Sequence, residues 1–224
     1  MLKTYLSIAA AAVMTLSITT GCSTNDYVEP QVQLETYTGI FVDAATAGLT
    51  FTCDAHSGTT DINGTFSGCF TKDPVSFHLG NLKLGTMTYP KGGVFSPKGL
   101  AEAKYPDDAT KQTEMKNNIA ATVLSMDVDG DPTNGISITP TNIEIFNKTV
   151  LEDSVITEPA VITLTKQAVT AVVQAPANTG TMKTVTPEDA AEHLAVVEKE
   201  IEEGEYNQPE PVVFEPIPTG TGSY

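Results

Sequence analysis

The chain contains no arginine and no tryptophan. Arginine is the side chain best suited to bidentate phosphate contacts. The 12 basic residues are all lysine and face 28 acids, for a formal charge of −16. Nucleic acid, whose backbone demands a cationic protein surface, is therefore excluded as a partner. An anionic lipid surface is repelled for the same reason. The acidity reads either as simple solubility or as complementarity to a cation-rich partner. With eight Phe and seven Tyr, few rings are left for stacking against a sugar. Histidine is scarce too: His56, His78 and His193 lie far apart and have no metal-ligand spacing. His193, beside an apolar helical stripe, reads as a packing or surface residue. No Gly-x-Ser-x-Gly elbow occurs, and Gly92, Gly93 and Gly99 form no phosphate loop. Glu198, Glu200, Glu202 and Glu203 read as the solvated end of a helix. No convergent set of ionisable groups emerges, so no enzyme activity and no required cofactor are expected.

Long apolar runs are missing as well, apart from Leu6 to Ile18, which is too short for a permanent membrane helix. Lys3 precedes this run, and Thr19-Thr20-Gly21-Cys22 follows it. The order resembles a bacterial lipoprotein signal, although Thr19 stands where Leu is usual. The resemblance implies cleavage after Gly21, diacylglycerol and palmitate on Cys22, and a membrane attachment made by acyl chains alone. Each buried methylene adds about 0.8 kcal/mol to such an anchor. Ser23 resembles the outer-membrane sorting signal, since Asp is the usual residue for inner-membrane retention. The alternative is an ordinary secretory peptide that leaves Cys22 as a free thiol. Removal of residues 1–21 leaves enough chain for one or two domains with a real core.

Cys53 and Cys69 are then the only other cysteines. In an oxidising envelope compartment an isolated pair of this kind predicts a disulfide. Leu49, Phe51 and Cys53 alternate with Thr50 and Thr52, as in a half-buried strand. Asn63-Gly64 is a strong hairpin signal before Thr65–Phe70, which carries Cys69. The two cysteines meet either across a hairpin or between sheets. Val75, Phe77 and Leu79 alternate again and put His78 on the opposite, wet face. Residues 99–126 read as helical, with Met115, Ile119 and Val123 on the inner stripe and Lys111, Glu114 and Lys116 outside. Ile143–Phe146 and Ala160–Leu164 read as short β pieces. Thr186, Pro187 and Asp189 open the clearest helix, 186–203, whose stripe is Ala190, Leu194, Val197 and Ile201. Residues 204–224, rich in Pro, Glu and Gly, read as a disordered acidic tail.

One stretch has ligand spacing: Asp127-Val-Asp129-Gly-Asp131-Pro-Thr-Asn134-Gly135. Alternate carboxylates offer hard oxygens to Ca²⁺. The loop resembles an EF-hand through its third acidic position, then departs. Pro132 replaces the turn Gly, and no Glu closes the loop. Asp127, Asp129, Asp131 and Asn134 are candidate ligands of a structural Ca²⁺ joining helix to strand. The competing reading is a solvated turn in which the Asp side chains cap backbone NH groups.

Two stretches carry a family likeness. The first runs from Gly48–Cys53 through Ser57-Gly-Thr-Thr-Asp61-Ile-Asn-Gly64-Thr-Phe66 to Val75–Gly80 and Leu84-Gly85. The second runs from Asn118 through Leu124-Ser-Met-Asp127 to Asn134-Gly-Ile136. Together they resemble proteobacterial envelope lipoproteins and large surface proteins with a carboxypeptidase-regulatory-like (transthyretin-like) β-sandwich module. The likeness covers roughly residues 39–136, with an echo in Thr186–Leu194. It implies an extracytoplasmic, cell-envelope location and carries over no catalytic residues.

The expected fold is α+β and mainly β. A signal (1–21) and spacer (22–38) precede a disulfide-stapled, β-sandwich-like module (39–98). A smaller α/β portion (99–203) with two helices follows. The expected function is a non-catalytic, lipid-anchored outer-membrane protein with a structural, adhesion or docking role toward a protein or glycan. Alternatives are a periplasm-facing assembly or chaperone-like lipoprotein and a metal-dependent hydrolase.

Overall fold

The computed structural model describes residues 36–54 and 56–208. The signal, Cys22 and residues 209–224 lie outside the described residues. Ten strands and five helices are described. The strands are β1 (Thr36–Phe41), β2 (Thr46–Ala47), β3 (Thr50–Cys53), β4 (His56–Thr59), β5 (Thr65–Phe70), β6 (Val75–Leu79), β7 (Leu82–Met87), β8 (Val94–Phe95), β9 (Ile136–Ser137) and β10 (Ser154–Val155). The helices are α1 (Pro97–Lys104), α2 (Ala109–Ser125), α3 (Pro140–Phe146), α4 (Pro159–Val173) and α5 (Pro187–Glu203). The fold is mixed: helices hold more of the described chain than strands, contrary to the mainly β expectation. β1 starts inside the segment read as spacer.

Three sheets form, ordered β5-β1-β8, β10-β7-β6-β3-β4 and β2-β9. The alternation read over 75–79 is present: Val75, Phe77 and Leu79 are buried. His78 is half-buried rather than wet. β1 pairs antiparallel with β5, with a bulge at Tyr37/Thr38 where Gly68 is skipped on the partner strand. Gly68 takes φ +92°, a conformation that admits the extra residue with least strain. β3 pairs with β4 and β6, not with β5. Cys53 and Cys69 therefore sit in different sheets, and their disulfide (Cα–Cα 5.8 Å) ties the two together. It closes a separation of 16 residues, a constraint on the unfolded chain of about 3 kcal/mol. Rings from both sheets meet beside it: Phe41 lies 4.8 Å from Phe77, and Phe66 lies 4.8 Å from Phe51.

The Asn63-Gly64 turn is built on Asp61. Its carboxylate accepts the amides of Asn63 and Thr65, each at 2.9 Å, while Gly64 takes φ +75°. The turn joins β4 to β5, strands of different sheets, and is not a hairpin.

The helix read over 99–126 is two helices. Pro106 disfavours helical backbone at Tyr105, so α1 stops at Lys104 and α2 restarts on the Asp108 cap. The inner stripe Met115, Ile119 and Val123 is buried. Lys116, read as solvent-facing, is half-buried and paired with Glu198 of α5. The segments around Ile143 and Ala160, read as β, are α3 and α4. Pro140 and Pro159 each take a first-turn position, where the missing amide costs nothing. Thr139 also caps α3 by accepting the Asn142 amide at 3.2 Å. α5 matches its reading: Thr186 accepts the Asp189 amide at 3.2 Å and Gly204 ends the helix left-handed. Gly204–Gln208, at the start of the segment read as tail, are described, and the Gln208 amide donates to the Gly92 carbonyl at 2.8 Å.

One large buried cluster runs from Tyr37 to Leu194 and draws on the two larger sheets and on helices α1 to α5. A small second cluster, Ile40, Val42, Val94 and Val197, seats the C-terminal half of α5 beside β1. Among the described residues no helix is long and apolar enough to cross a membrane.

Candidate functional site

The acidic loop leaves α2 at Asp127, which is buried. Asp127 Oδ1 accepts the Ser137 amide at 2.9 Å, and Oδ2 receives no donor. Burial pushes the Asp127 carboxyl up, and the neighbouring Asp129 adds to the effect. Asp129 accepts the Asp131 amide at 3.0 Å and the Asn134 side-chain amide at 3.0 Å, which hold its own carboxyl below the usual range. Asp131 accepts the amide and the hydroxyl of Thr133 at 3.1 and 2.6 Å. The four candidate ligands thus spend most of their oxygens on donors within the loop and on the Ser137 amide. The structure brings Asp127 and Asp129 together and turns Asp131 to Thr133. Among the described residues no group of three or more His, Cys, Asp or Glu gathers as a metal would need.

A different constellation lies beside this loop. β1 ends in apolar residues, and the chain turns back at once through a Val42–Ala45 bridge. Ala44 sits at φ 56°, a strained value for a side chain with a Cβ. The Thr46 hydroxyl donates to the Ala44 carbonyl at 2.9 Å and braces the turn. Asp43, at its inner side, is 0% exposed. α5 lays His193 against it, with Nε2 3.4 Å from Asp43 Oδ1. Neither Asp43 oxygen has a well-formed hydrogen bond among the described residues, so the imidazole is its sole ionic partner there. The Asp43 carboxylate holds the His193 imidazole above its ordinary value, against the opposing pull of burial. Burial in turn pushes Asp43 up. Both directions say the same thing: the pair keeps a proton more firmly than the unfolded chain does.

His193 lines a cleft of about 580 Å³, the size of a small-ligand or side-chain site. α5 also contributes Val196, Val197 and Glu200, the 132–135 segment contributes the end of the acidic loop, and Ala44, Ala45 and Tyr206 complete the lining. The Tyr206 hydroxyl donates to Glu200 Oε2 at 2.9 Å, and burial beside that carboxylate pushes Tyr206 up to about 12. The short β2–β9 pairing holds Thr46–Ala47 against Ile136–Ser137 and so fixes the two flanks. The cleft is acidic and aliphatic, with a polarised imidazole at its wall. It can bind a complementary group, and its histidine can hold or release a proton.

Reading residue by residue passed over this site. In the sequence His193 reads as a packing or surface residue, and Asp43 belongs to no motif. Two signals were present: a carboxylate amid apolar residues in Phe-Val-Asp-Ala-Ala, and a histidine three residues from both Ala190 and Val196 on the only fully patterned helix. Of the other histidines, His56 lies 5.8 Å from the Phe51 ring. His78 lines a separate pocket of about 270 Å³ with Lys83, Glu152 and Asp153. Burial, with Lys83 adding, holds His78 below its ordinary value.

No family model, curated protein or solved structure matches the chain.

Proposed function

We propose that this is a non-catalytic, lipid-anchored cell-envelope protein that docks a partner, and that the cleft beside α5 is the docking site. The observation that carries the reading is the open cleft itself, walled by the solvent-facing Val196 (58% exposed) beside the half-buried Glu200. A preformed concavity lined by aliphatic side chains with a few placed polar groups is the usual form of a binding site. The envelope location is supported by the lipoprotein-like leader ending at Cys22 and by the disulfide, a bond favoured by oxidising compartments. We read the sheets joined by Cys53–Cys69 as a sandwich-like module, since their aromatic faces meet between them. The cleft opens between α5, the turn after β1 and the 132–135 segment.

The test has two arms. Alkyne-palmitate labelling of growing cells marks the wild type and leaves Cys22→Ala unlabelled; label on the variant would overturn the anchor. A photo-cross-linking residue placed at position 196 captures a discrete adduct in intact envelopes, whereas the same residue at the exposed Glu102 does not. Equal capture from both positions, or none from 196, would overturn docking at the cleft.

A further inference from the structure

The cleft carries a strong indication of what kind of group fills it. Three large hydrophobic side chains are highly exposed among the described residues, Ile62, Leu151 and Val196, and Val196 alone of these lines the cleft. Val197 beside it is buried against Ile40, Val42 and Val94 and forms the floor beneath it. Glu200 follows Val196 by one helical turn and therefore lies on the same face. One of its oxygens accepts the Tyr206 hydroxyl. No lysine reaches it among the described residues, although Lys199 and Lys98 pair with Glu203 and Glu202 close by. No lysine lines the cleft, and the loop entering its wall brings exposed Asp129 and Asp131 just before Pro132. His193 feels the Glu200 carboxylate only as the weakest of the influences that raise it, and its direct ionic partner is Asp43 at 3.4 Å. The cleft thus presents a carboxylate that has no ion pair among the described residues, one helical turn from an exposed valine, in a protein of formal charge −16.

We infer that the cleft takes a lysine side chain from a partner protein, flanked there by aliphatic residues. This rests on the docking reading above and names its chemistry. Lysine matches the two halves of the site: its methylene stem packs along apolar surface while its ammonium reaches a carboxylate. The exposed Val196 side chain receives the stem, and Glu200 receives the ammonium. The surrounding acids attract such a segment before contact and repel a second copy of this acidic chain.

The probe is a fluorescein-labelled peptide, Gly-Val-Lys-Val-Gly, with counterparts carrying norleucine or glutamate in place of lysine. Each is titrated against the full chain in a non-ionic detergent, with anisotropy as the readout and hydrogen exchange to locate the site. The lysine peptide binds and protects amides in 132–135 and 193–200. Glu200→Gln weakens it by about tenfold, the worth of a charge-assisted hydrogen bond. Val196→Ser weakens it less, and Glu102→Gln leaves it unchanged. Binding falls as salt rises. Equal binding of the norleucine peptide, or an unchanged affinity in Glu200→Gln, overturns the lysine assignment. If the glutamate or norleucine peptide protects those amides better, docking stands and only its chemistry is lost. If none of the three protects them, both readings fall. Protection without peptide that vanishes on deletion of residues 209–224, or that grows with protein concentration, makes the tail or a second copy the occupant and also overturns the proposal.

Discussion

Removing His193 should destabilise the protein far more than removing an ordinary half-buried side chain. His193→Ala removes the sole counter-ion, among the described residues, of an Asp43 carboxylate that is 0% exposed in the wild type. Breaking a buried pair from one side costs about 3–5 kcal/mol. For a domain of this size each kcal/mol moves the melting midpoint by about 2–4 °C, so the midpoint should fall by about 6–20 °C at pH 7.5. The loss has a pH signature. The folded His193 is raised above its ordinary 6.5. Its stabilising contribution is therefore complete below pH 6.5 and fades as pH climbs through the higher folded value. Asp43, also raised, acts with the same sign in a lower window that opens at its ordinary 3.8. The histidine part of the decline should begin at about pH 6.5 and continue upward. Asp43→Asn keeps the shape, removes the charge and should flatten that decline, at a smaller cost than His193→Ala because a half-buried imidazole can simply stay neutral. Denaturant melts at pH 5.5, 7.0 and 8.5 give the comparison. A loss below about 1 kcal/mol for His193→Ala at pH 7.5, or an Asp43→Asn protein with the wild-type pH slope, would refute the buried-pair reasoning.

Three further outcomes are expected. Cys53→Ala should cost about 3 kcal/mol in oxidising buffer, and the wild type and variant should melt together once reductant is added; a gap that persists under reductant would point to packing instead. Gly64→Ala should cost about 2 kcal/mol or more, because φ is +75° and the new Cβ would lie 2.6 Å from the Phe41 carbonyl oxygen; an unchanged midpoint in thermal melts would sink this. Calcium at millimolar concentration should leave the melting midpoint unchanged, since Asp129 and Asp131 already serve the loop's own amides; a rise of several degrees that Asp127→Asn abolishes would restore the calcium clamp.

Local periodicity and caps carried much of the fold. The alternation at 49–53 and 75–79 and the Thr186-Pro187-x-Asp189 start of α5 could be read directly, because each is written within a few consecutive residues. α3 and α4 were lost for an identifiable reason. Ile143, Ile145, Val161 and Ile162 favour strands, but Thr139-Pro140 and Pro159 supply helix starts, and tertiary burial sides with the starts. Sheet membership was not legible either. Nothing local tells β3 to pair with β6 while β5 pairs with β1. The Asp43–His193 pair is the extreme case, since its halves come from opposite ends of the described chain and neither end carries a motif. By contrast, the acidic loop drew attention through its spacing, yet its spacing is met by internal turns.

The three parallel pairings have a bearing on how the chain comes together. β1 needs Val94–Phe95, β2 needs Ile136–Ser137 and β7 needs Ser154–Val155, each arriving from well downstream. A chain emerging from its N-terminus therefore cannot complete the sheets it begins until residue 155 has been delivered. Closing such distant pairs is slow. The antiparallel ladders within residues 36–87 need no such wait. The three parallel strands therefore act as late clasps on sheets already begun, and weakening any of them should slow the last step of folding rather than the first.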